Sequence, residues 1–425
     1  MKRIIIFIPR SEFLESDRVM PPLGPLYLKS FIESYGNHVE INDEPEAFPI
    51  EEIKNYDLVG YSCTTPQAKN AINHCKIIKE VFPDKQTVIG GAHAKYYYEE
   101  LLQNSPFDFI VSGDGEYALL KIIENNVKNR LIKQPNMSVN VMSNCPLPWR
   151  DKKFLKRYHY YIKERRATTA IVGKFCPMGC KFCEARLSGL ALYTPKRVEA
   201  ELIDIKYNNG FNAIMYYDDI FTINLKRVKE LCKIIKPHNI YFRCFAHAKT
   251  FTDEMAEVLA DAGCKIVCWG VESGHQKILD IVGKGITVEM NYKMAKKILK
   301  HGMEAVAFCM IGLPGENKET IAATEKFFAT FADNPNFSFD YTIYYPFRKT
   351  YIRENIAKYD LKLHLNGSRG FYKGKKGASE CCVSTSTLTI EDILKERDRI
   401  CQKYSKRFSG LRPNLSGPST SFNID

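Results

Sequence analysis

Residues 168–183 read Thr168-Thr-Ala-Ile-Val172-Gly173-Lys-Phe-Cys176-Pro-Met-Gly-Cys180-Lys-Phe-Cys183. The β-branched and apolar residues 168–172 read as a buried strand ended by a glycine. Three cysteines follow, with three and then two residues between them. Thiolates so spaced converge when the loop wraps one centre, as holding a metal cluster requires. In a chain of 425 residues with 14 cysteines, chance supplies this spacing about 0.015 times. Zinc normally takes a second close pair of ligands, and none follows here; buried, unligated thiols are the other plain reading. Three thiolates on a four-iron cluster leave one iron open to bind and activate a substrate or cofactor.

Outward from this loop, strands and helices alternate. On the carboxyl side strands are predicted at residues 168–172, 213–217, 240–244, 265–269, 305–310 and 337–342, with helical patterns such as 198–207, 228–235, 253–262 and 318–331 between them. These units predict a partial (β/α)6 barrel over residues 167–345, smaller than the eight-unit version. On the amino side, residues 1–146 carry short apolar runs at 4–8, 39–41, 58–62, 87–89 and 109–111, with helical patterns at 67–81 and 116–125. Uniformly apolar runs joined by crossover helices predict a doubly wound parallel sheet, a Rossmann-like α/β domain. Residues 147–166 read as a basic, aromatic linker and 346–425 as a basic, mainly helical segment; its last residues, 409–425, are expected to fray.

Composition narrows the classes. With 45% hydrophobic and 26% charged residues the chain has cores to bury, which excludes disorder as its main state. It lacks the roughly 18 consecutive apolar residues of a membrane span, and its apolar start is too short for a signal peptide, so a cytoplasmic protein is expected. Fourteen cysteines without an export signal point to thiols or cluster ligation rather than disulfides. The net charge of +12 is uneven, since residues 347–425 hold sixteen Lys and Arg against eight Asp and Glu. Such a surface suits an anionic substrate, RNA or an acidic peptide, although solvated lysines are the plainer reading.

Ligands of open parallel sheets bind beyond the carboxyl ends of the strands. In the first domain these ends carry Ser62-Cys63-Thr64-Thr65, Gly90-Gly91-Ala92-His93 and Ser112-Gly113-Asp114-Gly115-Glu116, close enough in kind for one large ligand to touch all three. In the barrel they carry Tyr217-Asp218-Asp219, Arg243, Gly270-Val-Glu272-Ser273-Gly274 and Met310-Ile-Gly312-Leu-Pro314-Gly315. Asp218 and Asp219 read equally well as caps of the next helix. Glu272, a carboxylate in an apolar strand, needs a partner. Trp269 reads either as a cavity wall or as core, and most cysteines outside the triad read as small core residues.

On the cysteine triad and these barrel segments the chain resembles the radical S-adenosylmethionine (SAM) superfamily. On Pro21-Pro22-Leu23-Gly24 and the three amino-terminal loops it resembles the cobalamin-binding, class B methyltransferase-like subgroup. The resemblance implies a 4Fe-4S cluster on Cys176, Cys180 and Cys183, the catalytic centre. It implies SAM contacts from Phe182, Asp219, Arg243, Glu272, Ser273, Gly312 and Pro314. Cobalamin contacts are implied for Leu23, Gly24, Ser62, Thr64, Thr65, Gly90, Gly91, His93, Gly113 and Glu116, with the corrin held between the two domains. The chain has no Asp-x-His-x-x-Gly, and His93 reads as a corrin-amide or packing residue rather than a lower cobalt ligand. The implied activity is C-methyl transfer to an unactivated carbon, one SAM methylating cobalamin and a second yielding a 5′-deoxyadenosyl radical. Alternatives are a cyclase or rearrangement enzyme without methyl transfer, a methylthiotransferase and a cobalamin-binding sensor. Cys63, Cys75 and Cys145 do not fall on successive strand ends, which disfavours the methylthiotransferase. Implied partners are a small-molecule, lipid or peptide substrate and an electron donor such as flavodoxin or ferredoxin; nucleic acid is not expected. The substrate is not legible, because Tyr344-Tyr345-Pro346-Phe347-Arg348-Lys349 lacks the Gly and second Pro of the relatives' turn.

Overall fold

Four consecutive apolar residues, Ile4 to Phe7, are all buried, and alternate ones serve opposite sides of a sheet. Ile5 and Phe7 pack with Ala68, Ala71, Cys75, Ile78 and Leu101, whereas Ile4 and Ile6 pack with Phe31, Ile32, Ala118 and Leu119. A strand lined on both sides must be apolar throughout, which is why β1 shows no alternation. The computed structural model describes residues 1–11, 18–135, 137–186, 190–364 and 381–407. The chain divides into two compact units at Arg157/Tyr158.

In the first unit β1 (Arg3–Phe7), β2 (His38–Asn42), β3 (Leu58–Ser62), β4 (Gln86–Gly90), β5 (Phe109–Gly113) and β6 (Leu131–Gln134) form one sheet in the order β2-β1-β3-β4-β5-β6. All its pairings are parallel. Helices α2 (Ala68–Val81) and α3 (Ala92–Asn104) supply one apolar face, and α1 (Leu23–Glu33) and α4 (Gly115–Ile123) the other. The strand order reverses between β1 and β3, the kind of switch point at which such sheets open a crevice. Strand β6 lies beyond the five expected from sequence: an edge strand buries little, so Leu131-Ile-Lys-Gln134 lacks the apolar signature. Two short helices, α5 (Val139–Asn144) and α6 (Lys152–Leu155), complete this unit.

The second unit begins in the connector. Strand β7 (Tyr161–Ile162) pairs antiparallel with β8 (Arg165–Ala170). Strands β8, β11 (Ala213–Tyr216), β12 (Tyr241–Ala246), β13 (Cys264–Glu272), β14 (Glu304–Ile311) and β15 (Phe337–Ile343) then run parallel in chain order. These are the six parallel strands of the expected partial barrel. Between β8 and β11 the two-residue strands β9 (Gly173–Lys174) and β10 (Ala191–Leu192) pair antiparallel. Helices α7 (Pro195–Ile203), α8 (Leu225–Ile235), α9 (Asp253–Asp261), α10 (Gln276–Ile281), α11 (Val288–Lys300) and α12 (Lys318–Phe331) separate the strands. Trp269 is core: it is 1% exposed and its Nε1 donates to Asn291 Oδ1 of α11 at 3.2 Å.

After the barrel come α13 (Tyr351–Glu354), the antiparallel pair β16 (Lys362–Leu363) and β17 (Val383–Ser384), and α14 (Ile390–Lys403). The expected helical segment thus also contains a small sheet. The backbone N–H of Phe339 donates to the Arg407 carbonyl at 2.9 Å, so chain after α14 covers the outer edge of β15. Residues 409–425, expected to fray, lie outside the described residues.

Candidate active site

The cysteine loop starts from β9. Gly173 is demanded there, since a Cβ would lie 2.9 Å from Leu192 Cδ2 and 3.0 Å from the Ala191 carbonyl. Two aspartates after β11 fix the start of the loop. Asp218 accepts from the Val172 N–H at 2.9 Å and 3.2 Å, and Asp219 Oδ2 accepts from the Phe175 N–H at 2.8 Å. Phe175 has φ +75°, a left-handed conformation that costs an aromatic residue roughly 1–3 kcal/mol, and the Asp219 bond holds it there. Burial pushes the Asp218 carboxyl well above the usual range, against the pull of the Val172 and Gly173 N–H groups. Neither aspartate caps the next helix, whose N-cap is Asn224.

The thiols sense one another. Burial raises Cys176 and Cys180 and pushes Cys183 up to about 12, with the neighbouring cysteines adding to the rise in Cys176 and Cys183. The opposing influence common to all three is the positive charge of Lys284. Among the described residues no three His, Cys, Asp or Glu side chains are arranged as a shell for one metal ion.

Sequence reasoning missed Lys284. It is 7% exposed, and its Nζ donates to Glu272 Oε1 at 2.6 Å, which gives Glu272 the partner it needs. Lys284 stands between Gly283 and Gly285, both at positive φ, and that Gly-Lys-Gly was the signal available. Its Nζ is 5.8 Å from the Phe182 ring centroid, so Phe182 roofs the ion pair. Glu272 itself sits at φ +63°, where β13 makes a register shift against β14. His247, just past β12, was missed too: it is 6% exposed, and Nδ1 accepts from the Lys249 N–H at 3.2 Å. Burial, then the charges of Lys284 and Lys249, push it down to about 3, so the imidazole is neutral.

The remaining barrel candidates have structural work. Ser273 Oγ is 3.3 Å from Thr324 Oγ1 and accepts from the His275 N–H at 3.2 Å, tying its turn to α12. Gly312, at φ +87°, and Leu313 give their N–H groups to Glu316 Oε2 at 2.6 Å and 3.0 Å, folding the turn around buried Pro314 onto that carboxyl. Arg243 is 8% exposed, and donates to Tyr160 Oη at 2.8 Å and Cys268 Sγ at 3.0 Å. The connector's Tyr160 therefore belongs to the barrel, and Arg243 is committed to it rather than free for a ligand.

In the first unit the glycines divide. A Cβ on Gly91 (φ +89°) would lie 2.8 Å from the Cys63 carbonyl, and one on Gly113 (φ +123°) 2.0 Å from the Gln134 carbonyl, so both serve the chain's own packing. A Cβ on Gly24 would meet nothing within 4 Å, and one on Gly90 only Val111 at 3.9 Å, so these leave room for a ligand. His93 is fully buried in the first turn of α3, stacked on Tyr97 at 4.8 Å and 3.4 Å from Thr65 Oγ1. Ser62, Gly113 and Glu116 are half-buried, as is Leu23 at the start of α1, while Thr64 is exposed. A cleft of about 380 Å³ lined by Lys2, Asp57 and Gln86 lies at the opposite, amino ends of the strands.

Two family models match the chain: the radical SAM superfamily over residues 170–328 and the B12 binding domain over residues 13–123. The chain thus carries a radical SAM domain and a B12-binding domain. Its cofactor set is thus a 4Fe-4S cluster, SAM and cobalamin. Over 335 residues it is 27% identical to an uncharacterized methyltransferase of Pyrococcus horikoshii, covering 72% of each chain. It is 24% identical over 349 residues to the anaerobic magnesium-protoporphyrin IX monomethyl ester cyclase of Rubrivivax gelatinosus, covering 72% of this chain and 61% of that one. Its fold is similar to that of the radical SAM methyltransferase TsrM of Kitasatospora setae, solved with cobalamin and a [4Fe-4S] cluster bound, at TM-score 0.72 and 15% identity over 94% of this chain and 91% of that one. No helix among the described residues is long and apolar enough to cross a membrane.

Proposed function

We propose that this radical SAM enzyme is a cobalamin-dependent C-methyltransferase that acts on an unactivated carbon of a small molecule, lipid or peptide. The observation that carries the reading is the pinned cysteine loop beside a buried cation, in a chain that also has a B12-binding domain. The residues fit the cluster, because three mutually interacting thiols and a facing ammonium offset the cost of burying thiolates. They fit cobalamin at Gly24 and Gly90, which leave open space, and at Ser62, Thr64 and Thr65, whose hydroxyls offer polar contacts for corrin amides. When bound, the cluster and SAM supply a deoxyadenosyl radical, and cobalamin supplies the methyl group.

The chain's own part is positioning. Cys176, Cys180 and Cys183 hold the cluster; Asp218 and Asp219 hold the loop that carries them; Phe182 and the Glu272–Lys284 pair form the wall beside it. Glu316 holds the Gly312–Pro314 turn, whose backbone lies at the strand end where SAM would rest. We place the enzyme in the cytoplasm with a flavodoxin or ferredoxin as electron donor, since 14 free thiols call for a reducing compartment.

The test begins with anaerobic reconstitution with iron, sulfide and hydroxocobalamin, which should give about four irons per chain and a corrin spectrum. Incubation with SAM, a low-potential donor and candidate substrates should then give a product heavier by one methylene unit. The cyclase likeness favours a second reading, ring closure with the same cofactors, and a product without that gain would establish it. Iron without corrin would overturn the assignment of both readings to the first unit.

A further inference from the structure

We propose that Lys284 is the cation that sets how readily the cysteine-held cluster accepts an electron, with Glu272 as its counterweight. The inference rests on the reading of Cys176, Cys180 and Cys183 as cluster ligands, and goes beyond it in assigning an electrostatic role to a residue outside the motif.

The position of Lys284 is fixed from several sides. The Lys181 N–H, inside the cysteine loop, donates to the Val282 carbonyl at 2.8 Å, and Lys181 Nζ donates to the Ile281 carbonyl at 3.2 Å. Gly283 lies against the loop so closely that a Cβ would stand 3.1 Å from Lys181 Cγ and 3.4 Å from the Gly179 carbonyl. The ion pair fills the space above Gly270, where a Cβ would lie 1.9 Å from Glu272 Oε1 and 2.6 Å from Lys284 Nζ. Burial works against the Lys284 charge, but the Glu272 carboxylate bonded to it at 2.6 Å outweighs this and holds the amine protonated.

The pair is oriented. Lys284 follows Gly283, whose backbone packs on Gly179 and Lys181 of the cysteine loop, and its Nζ lies 5.8 Å from the ring centroid of Phe182, the residue before Cys183. The positive end therefore lies beside the cysteine loop. Uptake of one electron from a low-potential one-electron donor adds one negative charge to the cluster and makes or breaks no bond. A fixed buried cation nearby favours the reduced state, because net charge and polar neighbours set cluster potentials and a buried charge is weakly screened. Glu272 limits this effect and compensates the lysine while no further anion is bound.

The test is an EPR-monitored potentiometric titration of the reconstituted full chain as wild type, Lys284→Met, Lys284→Arg and Glu272→Gln. Lys284→Met should lower the midpoint by about tenfold in the reduction equilibrium, about 59 mV for one electron, and Glu272→Gln should raise it. Lys284→Arg should stay near wild type. A merely structural lysine would cost iron content without this pair of opposite shifts. Equal midpoints, or Met and Gln shifts of the same sign, overturn the proposal. If the Met variant holds no iron, an unshifted Glu272→Gln protein overturns it alone. A wild type that forms no four-iron cluster overturns the functional reading as well, which separates the two failures.

Discussion

At the mouth of the barrel, Asp218, Asp219, Glu272, Lys284 and Glu316 hold backbone or one another through ionisable side chains. At the carboxyl ends of β3 and β4, the Cys63 N–H donates to the Gly90 carbonyl at 3.2 Å and the His93 N–H to the Cys63 carbonyl at 3.1 Å, beside the uncharged Thr64, Thr65, Gly90 and Gly91. The two rims thus restrain their loops by different means. A charged rim carries a desolvation cost and is stable only with its partners in place, so it tolerates little substitution but controls local potential. A neutral rim of backbone and glycine costs less to bury and keeps its shape by sterics. Such a rim suits a large ligand rich in amides, while the charged one suits a centre whose charge changes.

The largest expected effect separates the rims outright. Cys180→Ala should abolish iron binding, reading near zero where wild type holds about four irons, and leave the corrin spectrum unchanged. Loss of both cofactors together would mean that the rims are not independent. The converse change is Gly113→Ala, which puts a Cβ 2.0 Å from the Gln134 carbonyl at φ +123°. It should destabilise the first unit by about 3 kcal/mol or more and remove corrin binding while iron is retained, read by denaturant unfolding and the two spectra. Gly24→Ala, in open space, should leave the stability unchanged; weakened corrin binding in that variant would place the ligand against it.

A pH titration sharpens the comparison, because Glu316 at the barrel rim should respond to pH. Burial raises Glu316 from 4.5 to about 8 despite the pull of the Leu313 and Gly312 N–H groups. Its unfolded form releases the proton first, so the stability it contributes is complete below pH 4.5, falls as pH rises towards 8, and is level above that. Glu316→Gln keeps an acceptor for Gly312 and Leu313 without the proton. Wild type should therefore lose Tm relative to this variant as pH rises across that window; a difference independent of pH would show Glu316 ionised in the folded protein.

The same contrast explains what the sequence made legible. The cysteine loop is read locally, since its ligands lie within eight residues, and uniformly apolar strands announce a doubly wound sheet. The need of Glu272 for a partner was also legible. The identity of that partner was not, because Lys284 stands twelve residues on and returns only through the turn after α10. Asp219 was placed at the right strand end, but its bond to the Phe175 N–H depends on a left-handed backbone that no periodicity predicts. Edge strand β6 and the start of α3 behind Gly90-Gly91 escaped because half-buried or glycine-rich segments lack an apolar signature. Tertiary partners, rather than elements, are what the linear pattern withholds.

The smallest effect lies at Arg243, which the sequence put at a strand's carboxyl end but which sits midway along β12, below the barrel mouth, a charge buried with neutral partners. Arg243 donates to Tyr160 Oη and Cys268 Sγ, and the nearby thiol is held protonated chiefly by its burial, with its pKa raised. Tyr160→Phe removes one acceptor from a guanidinium that stays charged, which should cost about 1.5–3 kcal/mol, the range for a hydrogen bond to a charged group. Cys268→Ala removes the weaker partner and should cost less. Together they strip both acceptors from the buried cation, so the double variant should lose more than the two single losses added. Denaturant unfolding of the three variants measures this, with iron content as the control. Additive losses would mean that water reaches Arg243, and that the barrel interior along β12 is open to solvent.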